Sequence, residues 1–239
     1  MELEFTTTAC NRPELLFQTY KSYTSKLKGI NFQKLILYIN IDPSPNNENI
    51  NKVIDVCQKF FGKVITRIPK KANFTYAVWW CFNQPKGKYF FHLEDDWELM
   101  EEIHIKDIIE RMENNNALLL SLNKDKMHWS GKVKGVMKSA HHFKEPKNGL
   151  KPEPALVPGL WNKNNFKKIF LETFNIYHNP EHTLKVKWRK NWRKNLENFP
   201  VIFWKPGIEI SKDIGREWRE ERNIVRKYNK KQWFSWDIK

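Results

Sequence analysis

The chain has 239 residues, enough to bury the core of one large domain, and 40% of them are apolar and 14% aromatic, which excludes a disordered protein. No apolar run approaches the roughly 18 residues of a transmembrane helix, and the first residues lack the pattern of a secretion signal. The three cysteines, Cys10, Cys57 and Cys81, lack the paired spacing of a disulfide framework or a zinc site. We therefore expect a single cytoplasmic domain, residues 1–239, with reduced thiols.

The net charge of +15 is distributed unevenly along the chain. Residues 1–120 contain 15 Lys+Arg and 15 Asp+Glu, whereas residues 121–239 contain 27 and 12, so the second half carries all of the excess. A one-sided positive charge favours polyanions such as nucleic acid, or an anionic membrane surface. A general enrichment in Lys, which the many Asn and Ile residues also suggest, explains the abundance of Lys but not the asymmetry.

Predicted strands and helices alternate along the chain. In the first half, the expected strands are 3–8, 34–41, 63–68, 89–93 and 117–122, and the expected helices begin near Pro13 and cover 49–61, 73–82 and 101–112. In the second half, residues 123–154 are expected to be mostly loop, followed by helices at 164–174, 181–196 and 214–228 and a strand at 201–204. This alternation predicts an α/β fold with a mostly parallel sheet and helices on both faces.

Polar segments follow three of the predicted strands, at the sheet edge where ligands bind in parallel sheets. They are Asn11-Arg12-Pro13, Asp42 and the acidic cluster Glu94-Asp95-Asp96. Three adjacent negative charges repel one another unless a cation or strong donors lie among them. Mg²⁺ and Mn²⁺ take oxygen ligands and often share them with substrate phosphates, so the cluster predicts a metal–diphosphate site; the alternative is a solvated acidic turn. Lys71 and Asn73 precede a helix whose amino end could face a phosphate, or they belong to a plain solvated loop.

Together these segments resemble the GT-A glycosyltransferases of the family-2 type. The opening TTTACNRPELL, the second strand ending in Asp42 and the acidic cluster follow the family's order and spacing over roughly residues 1–110. The resemblance implies a GT-A (Rossmann-like) fold with a nucleotide-sugar-binding half, 1–110, and an acceptor-binding half, 111–239. It implies an enzyme that moves a sugar from a nucleotide sugar, with a UDP-sugar favoured, to an acceptor hydroxyl, with Mn²⁺ or Mg²⁺ as cofactor.

The resemblance also assigns residues to the donor site. Glu94 and Asp96 occupy the two acidic places of a DxD-like metal motif, Asp95 lies nearer the donor ribose, and Arg12 and Asp42 line the nucleotide pocket. From the residues alone, Arg12 fits a surface salt bridge equally well, and Asp42 fits a turn ahead of Pro43.

Many members complete the metal site with a late histidine, which residues 206–216 lack. Asp213 or Glu209 is the expected substitute, and Lys212 and Arg216 are expected to close over the diphosphate. Glu181 begins a predicted helix, where an inverting member places the base that takes the proton of the acceptor hydroxyl while the metal stabilises the departing diphosphate. The alternative is a first-turn Glu that complements the helix dipole. Similarly, segment 157–161 resembles an acceptor-side segment, or it packs Trp161 into the core.

A basic segment, Lys185 to Lys194, contains six Lys and Arg residues around Trp188 and Trp192, which lie one predicted helical turn apart. In one interpretation the indoles pack on the core and the cations are solvated. In the other, the segment binds phosphates through its cations and stacks an indole on an exposed base. The residues assigned to that role are Lys187, Trp188, Arg189, Lys190, Trp192 and Arg193.

The leading expectation is an inverting, metal-dependent glycosyltransferase with an anionic acceptor. The specific hypothesis is a hydroxymethylated base in DNA, as in phage DNA glycosyltransferases, which would place the protein in the host cytoplasm; the base would have to flip out of a duplex. A second hypothesis is surface-glycan or lipopolysaccharide synthesis on anionic lipid. A third is a non-catalytic nucleic-acid-binding module on a transferase scaffold, which would keep the basic half without metal dependence.

Overall fold

The computed structural model describes residues 3–43, 49–122, 154–170, 179–205, 209–228 and 234–238, so the predicted loop 123–154 lies almost entirely outside the described residues. The helices are α1 (Pro13–Lys26), α2 (Ile50–Phe60), α3 (Phe74–Asn83), α4 (Ile105–Asn114), α5 (Lys163–Phe170), α6 (Pro180–Lys190), α7 (Trp192–Asn198) and α8 (Gly215–Glu221). The strands are β1 (Leu3–Cys10), β2 (Leu27–Lys28), β3 (Ile36–Asp42), β4 (Lys63–Arg67), β5 (Tyr89–Glu94), β6 (Trp97–Leu99), β7 (Ile103–His104), β8 (Leu119–Ser121), β9 (Gly159–Asn162), β10 (Val201–Phe203), β11 (Ser211–Asp213), β12 (Ile224–Tyr228) and β13 (Phe234–Ile238).

The described residues form a seven-stranded sheet in the order β10-β8-β9-β5-β1-β3-β4. Every neighbouring pair is parallel except the two that involve β9, which runs antiparallel to both β5 and β8. The predicted α/β architecture with a mostly parallel sheet is therefore confirmed.

The sheet separates two apolar cores, because successive residues of a strand point to opposite faces. On one face, Phe91 of β5 stacks on Phe5 of β1 with ring centroids 5.2 Å apart. On the other, Phe90 lies 6.2 Å from Trp161 and packs in the second cluster with Phe166. Burying each such ring stabilises the fold by roughly 1.5–3 kcal/mol, so the aromatic residues of β5 contribute to both cores.

Residues 159–162 form strand β9, in the segment for which the sequence suggested an apolar turn or an acceptor-side segment. Trp161 is fully buried, so the interpretation that places it in the core is confirmed. Gly159 allows the close approach of β8, because a Cβ at this position would lie 2.5 Å from the carbonyl oxygen of Leu120. Pairing with two strands distant in sequence makes this segment a strand.

Two predicted helices in the second half were wrong in extent. The helix expected over 181–196 is two helices, α6 and α7, separated at Asn191, whose backbone is not helical (φ −129°, ψ 39°). The helix expected over 214–228 ends at Glu221, Asn223 adopts a left-handed conformation (φ 52°), and the chain continues as β12 paired antiparallel with β13. The β-branched pair Ile224-Val225 favours that strand.

Candidate donor-binding site

Three parallel strands bring the predicted polar segments to one edge of the sheet. In the β1–β3 ladder Cys10 pairs with Asp42, and in the β1–β5 ladder Thr8 pairs with Glu94. The turn after β1, the end of β3 and the acidic cluster after β5 therefore lie side by side. The sequence predicted that these three polar segments would lie at one edge of the sheet, and the structure has them there.

Arg12 forms a buried ion pair with Asp95. Its Nη2 lies 2.5 Å from Asp95 Oδ1 and its Nε donates to Oδ2 at 3.1 Å, a two-point contact between side chains that are 4% and 3% exposed. The Cys10 N–H also donates to Asp95 Oδ2, at 2.9 Å. Burial raises the pKa of Asp95 and outweighs the lowering by Arg12. Arg12 therefore lies in the polar site rather than in a surface salt bridge.

Asp96 lies beside the same arginine and is closely surrounded by the late part of the chain. Its Oδ2 is 3.1 Å from Arg12 Nη2 and 3.9 Å from Arg219 Nη1. A Cβ on Gly215 would lie 2.0 Å from that oxygen, so only glycine fits there. The other carboxylate oxygen of Asp96 accepts no described hydrogen bond, which leaves it for a ligand.

The predicted metal ligands do not form a preformed cage. Glu94 accepts a hydrogen bond from the Trp97 indole at 3.0 Å, and Asp213 accepts one from the Gly215 N–H at 3.1 Å. Nowhere in the described parts of the chain do three His, Cys, Asp or Glu side chains come together to hold a metal ion. Mg²⁺ usually binds one or two carboxylates together with phosphates, so Asp96 and a bound diphosphate could supply ligands for a divalent cation only jointly, and this stays a prediction. The roles of Glu94 and Asp213 as ligands stay predictions.

The late segment reaches the site through a short ladder. Strand β11 pairs with β6, which places Asp213 opposite Trp97, and the Ile214 N–H donates to the Asp96 carbonyl at 2.9 Å. Helix α8 follows, and the ring of its Trp218 lies 5.5 Å from the Arg12 guanidinium carbon.

One cation of this segment that contacts the acidic cluster was not named from the sequence. Lys212 pairs with Glu217 at 3.1 Å, and Arg216 is exposed without a described contact, so their expected role at the diphosphate stays a prediction. Arg219 contacts the cluster, and sequence reasoning missed both it and Trp218. The sequence feature that could have indicated these residues is Trp218, the one aromatic residue in the charged segment 216–222.

Asp42 lies in a second polar cluster, next to the one formed by Arg12, Asp95 and Asp96. Its carboxylate accepts hydrogen bonds from Asn40 Nδ2 at 2.9 Å and from the Asn73 N–H at 3.1 Å. Burial raises the pKa of Asp42 to about 6, although these hydrogen bonds and the charge of Arg67 lower it. Arg67 donates to Asn40 Oδ1 and lies 4.2 Å from the Tyr76 ring centre.

Arg67 and Tyr76 were not predicted from the sequence. For Asn73 and Lys71, which were predicted, the structure gives the position and their role in donor binding stays a prediction. Asn73 caps α3 by accepting the Tyr76 N–H at 3.0 Å, so it shapes this second cluster through backbone contacts. Lys71 is exposed in the preceding loop.

Glu181 lies in the first turn of α6 and is linked to the same sheet edge. It accepts the Leu156 N–H at 3.3 Å. Leu156 precedes Gly159, which pairs with His92 near the carboxyl end of β5. The structure thus places Glu181 on the side of the sheet where the acidic cluster lies.

The basic segment spans the end of α6 and the start of α7, so Trp188 and Trp192 belong to different helices. Leu184 is fully buried and Lys190 is exposed. The side chains of Lys187, Trp188, Arg189, Trp192 and Arg193 lie outside what the structure describes. Their role in acceptor binding stays a prediction.

The mostly parallel sheet flanked by helices matches the GT-A fold of solved glycosyltransferase structures. The chain is similar in structure to the mannosyltransferase PcManGT from Pyrobaculum calidifontis in complex with GDP-Man and Mn²⁺ (TM-score 0.63, 8% identity, 92% of this chain and 59% of that one). It is also similar to S. aureus TarS (TM-score 0.60, 8% identity, 89% of this chain and 36% of that one). A third similar structure is S. aureus TarS 1–349 in complex with UDP-GlcNAc (TM-score 0.52, 10% identity, 88% of this chain and 60% of that one). This chain therefore spans less than two thirds of each of these structures.

In sequence, the chain matches no protein-family model and no curated protein. Within its described parts, no helix is both long and apolar enough to cross a membrane.

Proposed function

We propose that the protein is a nucleotide-sugar-dependent glycosyltransferase. The observation that carries this proposal is the convergence of Arg12, Asp42, Asp95 and Asp96 at one edge of a GT-A sheet. Two of the similar structures contain nucleotide-sugar donors, GDP-Man and UDP-GlcNAc. Ligands bind at this edge of a parallel sheet, and a donor needs hydrogen-bond acceptors for its base and cations for its diphosphate.

The donor base would bind at Asp42. Each carboxylate oxygen already accepts one hydrogen bond and keeps a lone pair for another, so it can accept an N–H of the base. Tyr76, held by Arg67, offers an aromatic surface beside it. We favour a UDP-sugar, whose uracil N3–H can donate to one of these oxygens, and the screen below includes GDP-sugars because guanine also presents N–H donors.

The diphosphate would bind next to the acidic cluster. Asp96 would hold a Mn²⁺ or Mg²⁺ ion that stabilises the charge of the departing nucleoside diphosphate. Arg12 fixes the orientation of the cluster, because its contact with Asp95 is bidentate and buried. Glu181 would take the proton of the acceptor hydroxyl in an inverting transfer.

The test is a donor screen with UDP- and GDP-sugars that measures released nucleoside diphosphate with Mn²⁺ and after chelation. We expect nucleoside diphosphate to be released from either the UDP-sugars or the GDP-sugars, and we expect this release to stop when a chelator removes the metal. Binding of neither UDP nor GDP at millimolar concentration in the presence of Mn²⁺ would contradict the proposal.

Nucleotide affinity should fall as the pH drops through about 6. Ionised Asp42 accepts a base N–H more strongly than protonated Asp42, and burial raises its pKa to about 6. The same shift destabilises the fold at neutral pH: the folded-state pKa exceeds the ordinary Asp value, so protonation at lower pH relieves the desolvation of the buried charge. Calorimetric titration with UDP and GDP between pH 5 and 8 checks the binding. Asp42→Asn should remove this pH dependence, whereas Asp55→Asn, which changes an exposed Asp on α2, should keep it.

We propose an anionic acceptor for the basic second half, with DNA as the specific hypothesis. The logarithm of the wild-type affinity for duplex DNA should fall linearly with the logarithm of the salt concentration, with a slope near 0.9 per phosphate contact. Replacing Lys187, Arg189, Lys190 and Arg193 with Ser should flatten the slope by several units and leave UDP or GDP binding unchanged. The measurement is DNA affinity from about 50 to 200 mM salt, because a protein that makes several phosphate contacts loses orders of magnitude in affinity over that range.

A control for the acceptor experiment replaces four exposed lysines of the first half, Lys34, Lys52, Lys63 and Lys70, with Ser. It removes as much charge from the opposite end of the chain. If wild type shows no DNA binding at the low-salt end, the nucleic-acid hypothesis is excluded and the glycan acceptor becomes the leading one.

A further inference from the structure

A chain of two hydrogen bonds connects Asp42 to Arg67. Arg67 Nη1 donates to Asn40 Oδ1, and Asn40 Nδ2 donates to Asp42 Oδ1 at 2.9 Å. Asn40 is fully buried and lies two residues before Asp42 on β3, so both side chains are on the same face of the strand. The guanidinium of Arg67 is thereby linked to the carboxylate that we assign to the donor base.

Arg67 determines which way the Asn40 amide faces. A guanidinium has N–H donors and no acceptor, so the amide turns its oxygen toward Arg67 and its NH₂ group toward Asp42. Without Arg67 the amide could rotate and place its oxygen against the carboxylate, where two acceptors repel each other. The guanidinium carbon of Arg67 lies 4.2 Å from the Tyr76 ring centre, a cation–π contact that supports this position.

We infer that Arg67 sets the base selectivity of the donor site by keeping Asp42 an ionised acceptor through Asn40. An ionised carboxylate only accepts hydrogen bonds, so it favours uracil and guanine, which present a ring N–H. Cytosine and adenine present a lone pair at the equivalent position, and Asp42 disfavours them. Arg67 is a positioning residue, because it acts on the base through Asn40 and Asp42. This inference rests on the proposed function.

The charged and titratable groups around Asp42 have opposite effects on its ionisation. Burial raises the pKa of Asp42 to about 6, the charge of Arg67 lowers it, and the charge of Asp95 raises it. The thiols of Cys10 on β1 and Cys81 on α3 also face Asp42, and burial raises the pKa of both, so they stay neutral. Loss of Arg67 should therefore make nucleotide affinity fall at a higher pH than in wild type.

Two pairs of ligands test the selectivity, UDP against CDP and GDP against ADP. The members of a pair share their sugar and diphosphate, so at a fixed Mn²⁺ concentration the ratio of their affinities reports the base. At about pH 7.5, wild type should bind the N–H member of one pair at least about tenfold more tightly, because the other base places a lone pair against a buried carboxylate. This ratio should decrease below about pH 6, since protonated Asp42 can donate to that lone pair.

Arg67→Gln should lower this ratio about tenfold, because glutamine lacks the charge and its amide can accept as well as donate, so it no longer fixes Asn40. Arg67→Lys keeps a charged group that only donates, and it should retain the ratio within about threefold. A purely structural role would weaken both members of a pair equally and leave the ratio unchanged. Calorimetric titration measures each affinity.

The matched control is Arg111→Gln on α4, a helix that supplies none of the residues assigned to the donor site. Arg111 likewise donates to an oxygen, the Trp204 carbonyl at 2.6 Å, and lies 5.7 Å from the centre of an aromatic ring, that of Trp204. Its loss should leave the affinities of both pairs unchanged within about twofold.

The outcomes separate this inference from the function on which it rests. Wild type that binds none of the four nucleotides contradicts the proposed function. Binding without preference in either pair, or a ratio in Arg67→Gln equal to that of wild type, leaves the function standing and overturns the inference. An unchanged pH midpoint of nucleotide affinity in Arg67→Gln overturns it as well. Should thermal unfolding show that this variant is not folded, Arg67→Met, which keeps an aliphatic stem beside Tyr76, tests the same loss through the same ratio.

Discussion

Asp96→Asn should lower sugar transfer by about 1,000-fold or more while the protein stays folded. The substitution keeps the volume of the side chain but removes the charge that we assign to the metal, so the cation at the departing diphosphate is lost. Arg12 keeps its two-point contact with Asp95, and the Asp96 carbonyl keeps the Ile214 N–H. The cost in unfolding free energy should therefore be only about 1–3 kcal/mol.

Steady-state release of nucleoside diphosphate and chemical denaturation together check this result. The matched control is Asp107→Asn, the same change on the exposed face of α4, which should leave turnover unchanged. Wild-type turnover by Asp96→Asn would exclude Asp96 as the metal ligand.

Glu181→Gln should lower turnover by about 100-fold or more and leave donor affinity nearly unchanged. Glutamine can still accept the Leu156 N–H through its carbonyl oxygen, so the start of α6 should keep its position. It cannot take a proton from the acceptor hydroxyl, and loss of a general base typically costs 10²–10⁴-fold in rate.

Turnover measured across pH distinguishes a base from a structural residue, because the loss of a base removes the acidic limb of the profile. Glu197→Gln on the exposed side of α7 is the matched control. If donor affinity falls in Glu181→Gln while turnover at saturating donor persists, the residue belongs to the nucleotide pocket.

The parallel half of the fold could be predicted from the sequence because its signals are local. Strands β3 and β5 are mostly apolar and buried on both faces, and each ends in a polar residue that parallel pairing brings to one edge. The strand ends and the family resemblance therefore placed Arg12, Asp42 and Asp95 at this edge, where the structure has them.

The parts that sequence reasoning missed depend on contacts between distant segments. From the sequence, the residues of β12 fit the end of a charged helix, and only their pairing with β13 makes them a strand. Arg219 is one of several arginines in the late segment, and only the β6–β11 ladder shows that it, rather than Arg216, contacts Asp96. The break at Asn191 likewise separates two tryptophans that a helical repeat placed on one face.

The distance in sequence between Asp96 and Arg219, more than 120 residues, has a consequence for biosynthesis. The first half leaves the ribosome early and can form β1, β3 and β5 with the Arg12–Asp95 pair, because those contacts need no later residue. Gly215 and Arg219 reach Asp96 only after β11 has been made and has paired with β6. The nascent protein therefore passes through a stage in which the acidic cluster is present without its final arginine.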